Sequence, residues 1–269
     1  MTTIAQFIAN SPLPRNETRM LLQYITGLSR SQLITHDRET LSPEHESSLH
    51  ALCQRREQGE PIAYLLGERE FYGRSFTVSP AVLIPRLETE HLLEAALCRL
   101  PARGFLWDMG TGSGIIAISA KLERTDANVF ASDISPDALN IAQHNAQRLG
   151  AAVAFAQGSW FDCAVSVHKF DVIASNPPYI DSHDTHLQQG DLRFEPAHAL
   201  TDFADGLAHI RHIVAHAPDY LQPQGWLLLE HGYDQGAAIR DLFAQHGYTQ
   251  VETLCDLAGL ERVTLGQMG

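Results

Sequence analysis

The sequence predicts an α/β fold in which a mostly parallel β-sheet, covered by helices on both faces, ends in an antiparallel hairpin and follows a small N-terminal helical domain. From about residue 88 onward, strand-like apolar runs alternate with helical patterns, which implies right-handed crossovers between parallel strands. Before about residue 68, apolar residues recur at helical spacing. The chain has 269 residues, 44% of them hydrophobic, so it can bury one large core and a smaller one.

The N-terminal domain is expected over residues 1–68 as a bundle of short helices. Leu21, Tyr24 and Ile25 repeat at the spacing of a helix face. The segment 42–44, Ser-Pro-Glu, supplies an N-cap, a proline at the first helical position and an acidic first turn. We expect this domain to recognise a substrate rather than to carry the chemistry.

A β-hairpin is expected to link the two domains over residues 69–84. Phe71 and Phe76 lie on either side of Gly73 in the pattern of two short strands joined by a turn. The second domain then covers residues 85–269. Near its end, two strand-like runs on either side of "LAGLE" are expected to close the sheet as an antiparallel pair.

The segment "WDMGTGSG" (107–114) ends a predicted strand and begins a helix. Its glycines allow the backbone to turn sharply and to approach a ligand without a Cβ atom in the way. The next strand ends at Asp133, where a carboxylate can accept hydrogen bonds from both hydroxyls of a ribose. Ile134 and Trp160 follow their strands and are candidate walls for an adenine. The pattern predicts a site for an adenosine-containing cofactor.

The spacing of the glycines distinguishes between such cofactors. Dinucleotide-binding loops usually have the spacing GxGxxG, with helix amides facing a pyrophosphate, whereas the spacing here is GxGxG. Asp108, just upstream, would repel phosphates but suits a cationic amino group. We therefore expect S-adenosylmethionine, which has an amino acid end and a sulfonium in place of phosphates. A nicotinamide-dependent dehydrogenase is the less favoured alternative.

The segment "SNPPYI" (175–180) follows the fourth strand of the series, at the end of the sheet where ligands bind in open α/β folds. The Asn176 side-chain oxygen and the Pro177 carbonyl can each accept one N–H of a planar NH₂ group, because the two prolines keep the backbone out of the sheet ladder. The Tyr179 ring can stack on a flat π-system. This arrangement favours methyl transfer to nitrogen, accelerated by positioning rather than by a strong base.

Two other classes of function remain open from these residues. An amino group of a flipped adenine or guanine in nucleic acid would suit the same motif. The net charge of −13, however, lacks the basic balance of proteins that hold nucleic acid through phosphates. A module that keeps the fold without the chemistry is the other alternative, and the presence of Gly110, Asp133 and Asn176 together argues against it.

Several motifs resemble those of a known family. Three of them are similar to class I S-adenosylmethionine-dependent methyltransferases that act on amino nitrogens, namely "DMGTGSG" (108–114), "SDIS" (132–135) and "SNPPYI" (175–180). Three further segments look like the release factor glutamine methyltransferases, the HemK/PrmC family, namely residues 59–90, "EPAHAL" (195–200) and "DGL" (205–207). The resemblance implies a Rossmann-like sheet and methylation of the glutamine N5 amide nitrogen in the Gly-Gly-Gln motif of peptide-chain release factors.

The resemblance also implies roles for particular residues. The cofactor would be held by Gly110, Thr111, Gly112, Ser113, Gly114, Asp133, Ile134, Trp160 and Asn176. The glutamine would be held by Asn176, Pro177, Pro178 and Tyr179. Of these, Asn176, Pro177 and Tyr179 would serve catalysis, and the domain over residues 1–68 would help to hold the release factor.

The rest of the composition indicates a globular cytoplasmic protein, which we expect to be a monomer without a metal site, a membrane span or direct nucleic acid contacts. The four cysteines lack CxxC spacing, and no apolar run of about eighteen residues occurs. His183, His186 and His198 are expected to be solvated loop residues. Arg86, Glu88 and Glu90 would either line a substrate channel or cap a helix starting near Leu87, and capping is favoured.

Overall fold

The structure, a computed structural model, describes residues 2–163 and 169–269. The chain divides into two compact units, residues 1–68 and 69–269, each of which is described by itself. Within the described ranges, none of the helices combines the length and the hydrophobicity that a membrane span requires.

The described part of the first unit consists of helices, as the sequence predicts. They are α1 (Ile4–Asn10), α2 (Arg15–Thr26), α3 (Arg30–Thr35), α4 (Pro43–Glu57) and α5 (Ile62–Leu66). The predicted start of α4 is confirmed, because the Ser42 hydroxyl accepts a hydrogen bond from the His45 N–H and Pro43 occupies the first turn. Leu21, Leu22 and Leu49 are fully buried and form the centre of a separate small core.

The hairpin predicted around Gly73 is present. Its strands are β1 (Glu68–Phe71) and β2 (Arg74–Thr77), which form a sheet of two strands. Gly73 has a φ of 72°, a left-handed conformation that a glycine adopts at no steric cost. Phe71 and Phe76 are fully buried, with their ring centroids 6.2 Å apart. Both belong to a core cluster that also contains Leu92 and Leu106, so these two rings fix the hairpin to the core of the second unit.

The remaining strands form one sheet of seven. They are β3 (Phe105–Met109), β4 (Asn128–Asp133), β5 (Ala154–Gln157), β6 (Phe170–Ser175), β7 (Leu221–Glu230), β8 (Tyr248–Cys255) and β9 (Glu261–Met268). Their order in the sheet is β5-β4-β3-β6-β7-β9-β8. The first five pair in parallel, whereas β9 pairs antiparallel with both β7 and β8. The mostly parallel sheet and its C-terminal antiparallel hairpin are therefore confirmed.

Helices cover both faces of this sheet. Those described are α6 (Thr89–Arg99), α7 (Ile115–Glu123), α8 (Pro136–Leu149), α9 (Ala208–His216) and α10 (Gly236–Gln245). Leu106 of β3 packs in one core cluster with Leu92 and Ile118, while the next residue, Trp107, packs in the opposite cluster with Ile213. Successive side chains of a strand point to opposite faces, so each face of the sheet has its own helical layer.

Strand order reverses at the β3–β6 pair, and ligands bind at such a switch point in open α/β sheets. Met109 and Ser175, the last residues of the two strands, are directly paired. The Ser175 hydroxyl also donates a hydrogen bond of 2.7 Å to the Met109 carbonyl. The glycine-rich loop and the Asn-Pro-Pro-Tyr segment consequently leave the sheet side by side and at the same level.

Candidate active site

A cavity of about 310 Å³ lies beyond the carboxyl ends of β3, β4, β5 and β6. This volume is within the range of small-molecule binding sites. Its lining contains nine of the residues that the sequence singles out: Gly110, Thr111, Gly112, Ser113, Asp133, Ile134, Trp160, Asn176 and Pro178. The structure thus brings the proposed cofactor loop and part of the acceptor motif to one site.

The glycine-rich loop needs glycines for two different reasons. Gly110 has a φ of 71° and lies against the Trp160 ring, where an added Cβ atom would be 3.6 Å from Cζ3. Gly114 has a φ of 86° at the start of α7, where a Cβ atom would approach Ile118 Cδ1 to 2.6 Å. Gly110 therefore shapes the cavity wall, whereas Gly114 allows α7 to pack closely.

Asp133 lies at the end of β4 with its carboxylate already oriented. One oxygen, Oδ2, accepts the Gly112 N–H at 2.9 Å, and the other, Oδ1, accepts the Ser135 N–H at 2.9 Å. Burial raises the pKa of Asp133, and the two backbone hydrogen bonds counteract that rise. Each oxygen keeps a second lone-pair direction, so the fixed carboxylate can still accept hydrogen bonds from a ligand.

Asp108 is fully buried beneath the same loop. Its Oδ2 accepts hydrogen bonds from the Thr111 hydroxyl at 2.6 Å and from the Ala117 N–H at 3.1 Å. Its Oδ1 is buried and has no hydrogen-bond partner among the residues that the structure describes. Burial raises the pKa of Asp108 to about 7. Asp108 does not belong to the cavity lining that the described residues form. A cationic amino group, directly or through water, would satisfy this acceptor, which fits the amino acid end of S-adenosylmethionine.

The acceptor motif is divided between the cavity and the core. Asn176 and Pro178 line the cavity. Pro177 is buried and Tyr179 is half-buried, and neither these two nor Gly114 belong to the cavity lining that the described residues form. The Asn176 side-chain N–H donates a hydrogen bond of 3.3 Å to the Thr89 hydroxyl. The carboxamide of Asn176 is therefore presented to the cavity by a contact from α6.

Tyr179 is anchored through its backbone. Its carbonyl accepts a hydrogen bond of 2.9 Å from Gln235, and a Cβ atom on Gly206 would approach the same carbonyl to 2.4 Å. Ile180 then forms an isolated parallel bridge with Thr201. Burial, with the nearby charge of a glutamate, raises the pKa of the Tyr179 phenol well above its usual value. The ring is consequently neutral at physiological pH and held beside the motif.

Comparisons with known proteins agree with this geometry. A family model described as the PrmC N-terminal domain matches residues 2–67, and one described as the methyltransferase small domain matches residues 86–202. A release factor glutamine methyltransferase from Neisseria gonorrhoeae is 57% identical over 98% of this chain and 97% of its own. One from Bordetella pertussis is 47% identical over the full length of both chains. The chain belongs to the release factor glutamine methyltransferase family.

Solved structures place this family member among the methyltransferase folds. A methyltransferase from Pyrococcus furiosus superposes with a TM-score of 0.58, at 18% identity, over 80% of this chain and 97% of its own. At that identity the similarity concerns the fold alone. It confirms the Rossmann-like sheet that the motifs imply.

The sequence did not indicate how Arg86 is used in this family member, and the structure corrects the favoured interpretation. Arg86 lines the cavity and pairs with Glu195. Glu88 occupies the position before α6, but its side chain forms no capping hydrogen bond to the residues described. Glu90 instead accepts the Tyr72 N–H at 2.9 Å. The expected capping role is therefore wrong for these side chains, because Arg86 and Glu90 bind Glu195 and the Tyr72 N–H instead, and Glu88 makes no side-chain capping bond.

Several cavity residues were missed by sequence reasoning. Among them are Ala81, Val82, Leu83, Pro85, Thr89, Asp202, Phe203 and His209, together with His198 as a wall residue. His209 lies against Trp160, with ring centroids 5.1 Å apart, and burial lowers its pKa. His198 lies within the "EPAHAL" motif (195–200), and Phe203 lies between that motif and "DGL" (205–207), so the two motifs could have indicated this region.

The remaining loop histidines lie apart from the cavity. The His183 side chain is 93% exposed, and that of His186 is also exposed. Each pairs with the aspartate two residues before it. In the ranges 2–163 and 169–269, no group of three or more His, Cys, Asp or Glu side chains is arranged to hold a metal ion.

Proposed function

We propose that the protein transfers a methyl group from S-adenosylmethionine to the N5 amide nitrogen of the glutamine in the Gly-Gly-Gln motif of peptide-chain release factors. The observation that carries this proposal is the placement of Asn176 and the glycine-rich loop on one cavity in a chain 57% identical to a release factor glutamine methyltransferase. The first unit, over residues 1–68, would help to hold the release factor, and the reaction would take place in the cytoplasm.

The cofactor would be held by the glycine-rich loop and its neighbours. Asp133 would accept hydrogen bonds from the ribose hydroxyls, and Asp108 would stabilise the amino group. Ile134 and Trp160 line the same cavity and would flank the adenine. When bound, S-adenosylmethionine supplies an electrophilic methyl group on a sulfonium and leaves as S-adenosylhomocysteine.

The acceptor motif would position the substrate amide. The Asn176 side-chain oxygen and the Pro177 carbonyl would each accept one N–H of the glutamine NH₂ group. Two such acceptors hold the nitrogen in one orientation and reduce the delocalisation of its lone pair into the amide. The nitrogen forms one N–C bond as the methyl–sulfur bond breaks, and its surplus proton passes to solvent. Catalysis in this scheme comes from positioning and from fixed dipoles.

Mass spectrometry of a release factor incubated with the protein and S-adenosylmethionine tests the proposal. One added methyl group on the glutamine of the Gly-Gly-Gln motif is expected. A matched substrate with glutamate in place of that glutamine lacks the NH₂ group and should remain unmodified. The same reaction with DNA and RNA tests methylation of a base amino group, and transfer to nucleic acid alone would overturn the proposal.

A further inference from the structure

The two prolines of the acceptor motif leave its backbone without hydrogen-bond donors at the point where the substrate amide would be held. Pro177 and Pro178 have no N–H group, so the sheet cannot hold them through backbone donors. Just before them, the Ser175 hydroxyl donates to the Met109 carbonyl at 2.7 Å and fixes the end of β6. The place of the Pro177 carbonyl therefore depends on how the chain is held after the prolines.

After the prolines, the backbone is held by the side chain of Gln235. Its Nε2 donates a hydrogen bond of 2.9 Å to the Tyr179 carbonyl. The next residue, Ile180, donates its own N–H to the Leu200 carbonyl at 3.0 Å. The carbonyl two residues after Pro177 is thus fixed by a carboxamide from a distant part of the chain.

The orientation of the Gln235 carboxamide follows from its partners. The Gly232 N–H donates to Gln235 Oε1 at 2.8 Å. A backbone N–H can only donate and a carbonyl can only accept, so Oε1 faces Gly232 and Nε2 faces Tyr179. Gly232 lies two residues beyond the end of β7, the neighbour of β6 in the sheet. Gln235 therefore connects the chain after β7 to the chain after β6.

Gly232 is in turn held by the fully buried ring of His231. The ring Nδ1 is 2.8 Å from the Gly232 carbonyl, and Nε2 is 2.8 Å from the Thr264 hydroxyl of β9. Burial lowers the pKa of His231, so the ring is neutral and Nδ1, which faces a carbonyl, holds its hydrogen. The Thr264 hydroxyl also lies 2.9 Å from the Thr253 hydroxyl of β8. The C-terminal hairpin thus fixes the segment to which Gln235 is bound.

The absence of a side chain at Gly206 leaves room for this contact. A Cβ atom there would lie 2.9 Å from Gln235 Nε2 and 2.4 Å from the Tyr179 carbonyl. The Gly206 carbonyl also accepts a second, longer hydrogen bond of 3.4 Å from Nε2. Three segments of the chain therefore meet at one carboxamide.

We propose that Gln235 is a positioning residue for methyl transfer, which holds the Tyr179 carbonyl and thereby sets where the Pro177 carbonyl meets the incoming amide. This inference rests on the proposed function for the identity of the incoming group, whereas the contact itself does not. Within the ranges 2–163 and 169–269, Gln235 is not part of the cavity lining. It acts through the acceptor motif, without touching cofactor or substrate.

Nuclear magnetic resonance of the Tyr179 carbonyl carbon tests the contact without substrate. The sequence contains the dipeptide Tyr-Ile twice, at 24–25 and 179–180. Labelling the carbonyl carbon of tyrosine and the nitrogen of isoleucine therefore selects two carbonyl signals. The signal that disappears in Tyr24→Phe belongs to Tyr24, and the other belongs to Tyr179. The Tyr24 signal then serves as an internal reference.

Two variants change the donor that faces Tyr179. In Gln235→Glu, the carboxylate can still accept the Gly232 N–H but cannot donate to the carbonyl. Gln235→Met has a side chain of similar length and removes both hydrogen bonds without adding a charge. Both should move the Tyr179 signal upfield, the direction of a lost hydrogen bond. Gln143→Glu, on the exposed side of α8, should leave it in place. An unmoved Tyr179 signal in both Gln235 variants would overturn the proposal.

Kinetics provide a second measurement. At saturating S-adenosylmethionine and release factor, both Gln235 variants should have a kcat about ten- to a hundredfold below wild type. The Kd for S-adenosylmethionine, measured by calorimetry, should not change, because the cavity lining is intact. The rate is expressed per bound cofactor, so a loss of folded protein alone would not lower it. Gln143→Glu should retain the wild-type kcat.

The two measurements separate the possible failures. An upfield Tyr179 signal in the variants of a protein that leaves the Gly-Gly-Gln glutamine unmodified would support the contact and contradict the proposed function. A wild-type kcat in both Gln235 variants would overturn the positioning role and leave the proposed function standing. If Gln235→Glu does not fold, as judged by thermal denaturation, Gln235→Met decides the question in both measurements.

Discussion

The Arg86 guanidinium pairs with the buried carboxylate of Glu195, 109 positions later in the chain. The other oxygen of this carboxylate accepts the Ile84 N–H at 2.9 Å. Residues 81–83, 85 and 86 contribute one wall of the cavity, and the segment after Glu195 contributes His198 to another. The fully buried Glu195 carboxylate therefore connects two walls of the cavity through hydrogen bonds.

Removing the cation should destabilise the second unit. Arg86→Ala leaves the Glu195 carboxylate buried with only the Ile84 N–H, and we expect a loss of about 1–3 kcal/mol in the free energy of unfolding. Urea denaturation measures it. Arg211→Ala breaks an exposed pair with Asp205 and should cost less than about 1 kcal/mol. Equal losses in the two variants would contradict the role assigned to the buried pair.

Asn176→Ala should abolish most of the turnover and preserve the fold. The change removes the side-chain acceptor that holds the substrate nitrogen, and mispositioning of this kind lowers rates by about a hundredfold or more. Steady-state kcat with a release factor measures the effect, and thermal denaturation checks the fold. Asn140→Ala on the exposed side of α8 is the control. A kcat within a few fold of wild type would exclude the assigned role.

Asp133→Ala should weaken the binding of S-adenosylmethionine. The variant loses charge-assisted hydrogen bonds to the ribose, so we expect the Kd to rise by about ten- to a hundredfold. Calorimetry measures the Kd, with Asp241→Ala on the exposed side of α10 as the matched change. An unchanged Kd would mean that the ribose is held elsewhere.

Asp108 should make stability depend on pH. Burial raises the pKa of Asp108 to about 7, compared with about 4 in an unfolded chain. The stability that the protonated Asp108 contributes is therefore fully present below the unfolded pKa of about 4. That contribution is lost as the pH rises through about 7. Asp108→Asn lacks this loss, so its stability relative to wild type should improve between pH 5 and pH 8. Urea denaturation across this range checks the sign, and a constant difference would contradict it.

Gly206 should be intolerant of a side chain for a reason beyond its backbone conformation. Gly206 and Gly190 have φ values of 78° and 54°, but only a Cβ on Gly206 would meet the Tyr179 carbonyl, at 2.4 Å. Both alanine variants carry the conformational cost of about 1 kcal/mol. The additional loss of melting temperature in Gly206→Ala measures the clash, and kcat should fall with it because the acceptor motif is displaced. Indistinguishable melting temperatures would count against this anchor.

The parts of the site that follow local patterns were predictable from the sequence. Gly110, Gly112 and Gly114 lie in a single turn whose backbone conformation requires glycine, so their spacing alone indicates the loop. Asn176 directly follows an apolar run that is recognisable as a buried strand. Asp133 is found in the same way, at the end of the next strand. In each case the signal lies within a few residues of the functional group.

Contacts between distant segments left no such signal. Thr89 meets Asn176 across 87 positions, and its neighbours show only a helical pattern, so nothing local distinguishes it from other helix residues. Glu195 pairs with Arg86 across an even longer separation. Capping was expected at Arg86, Glu88 and Glu90 because capping is the local use of charge, but the Arg86 and Glu90 side chains bind tertiary partners instead.

The pairing of Met109 with Ser175 has a consequence for how the site tolerates change. The loops that would hold the methyl donor and the methyl acceptor begin at these two residues, so the distance between the loops is set by the pairing of β3 with β6. A strand rises by about 3.3 Å per residue. A shift of the strand register by one residue would move the two reactants apart by more than a bond length. It would also turn every side chain of the shifted strand to the opposite face of the sheet. Surface loops can therefore change in sequence to suit new targets, while the pairing of β3 with β6 keeps the methyl donor and acceptor loops in the same relative position.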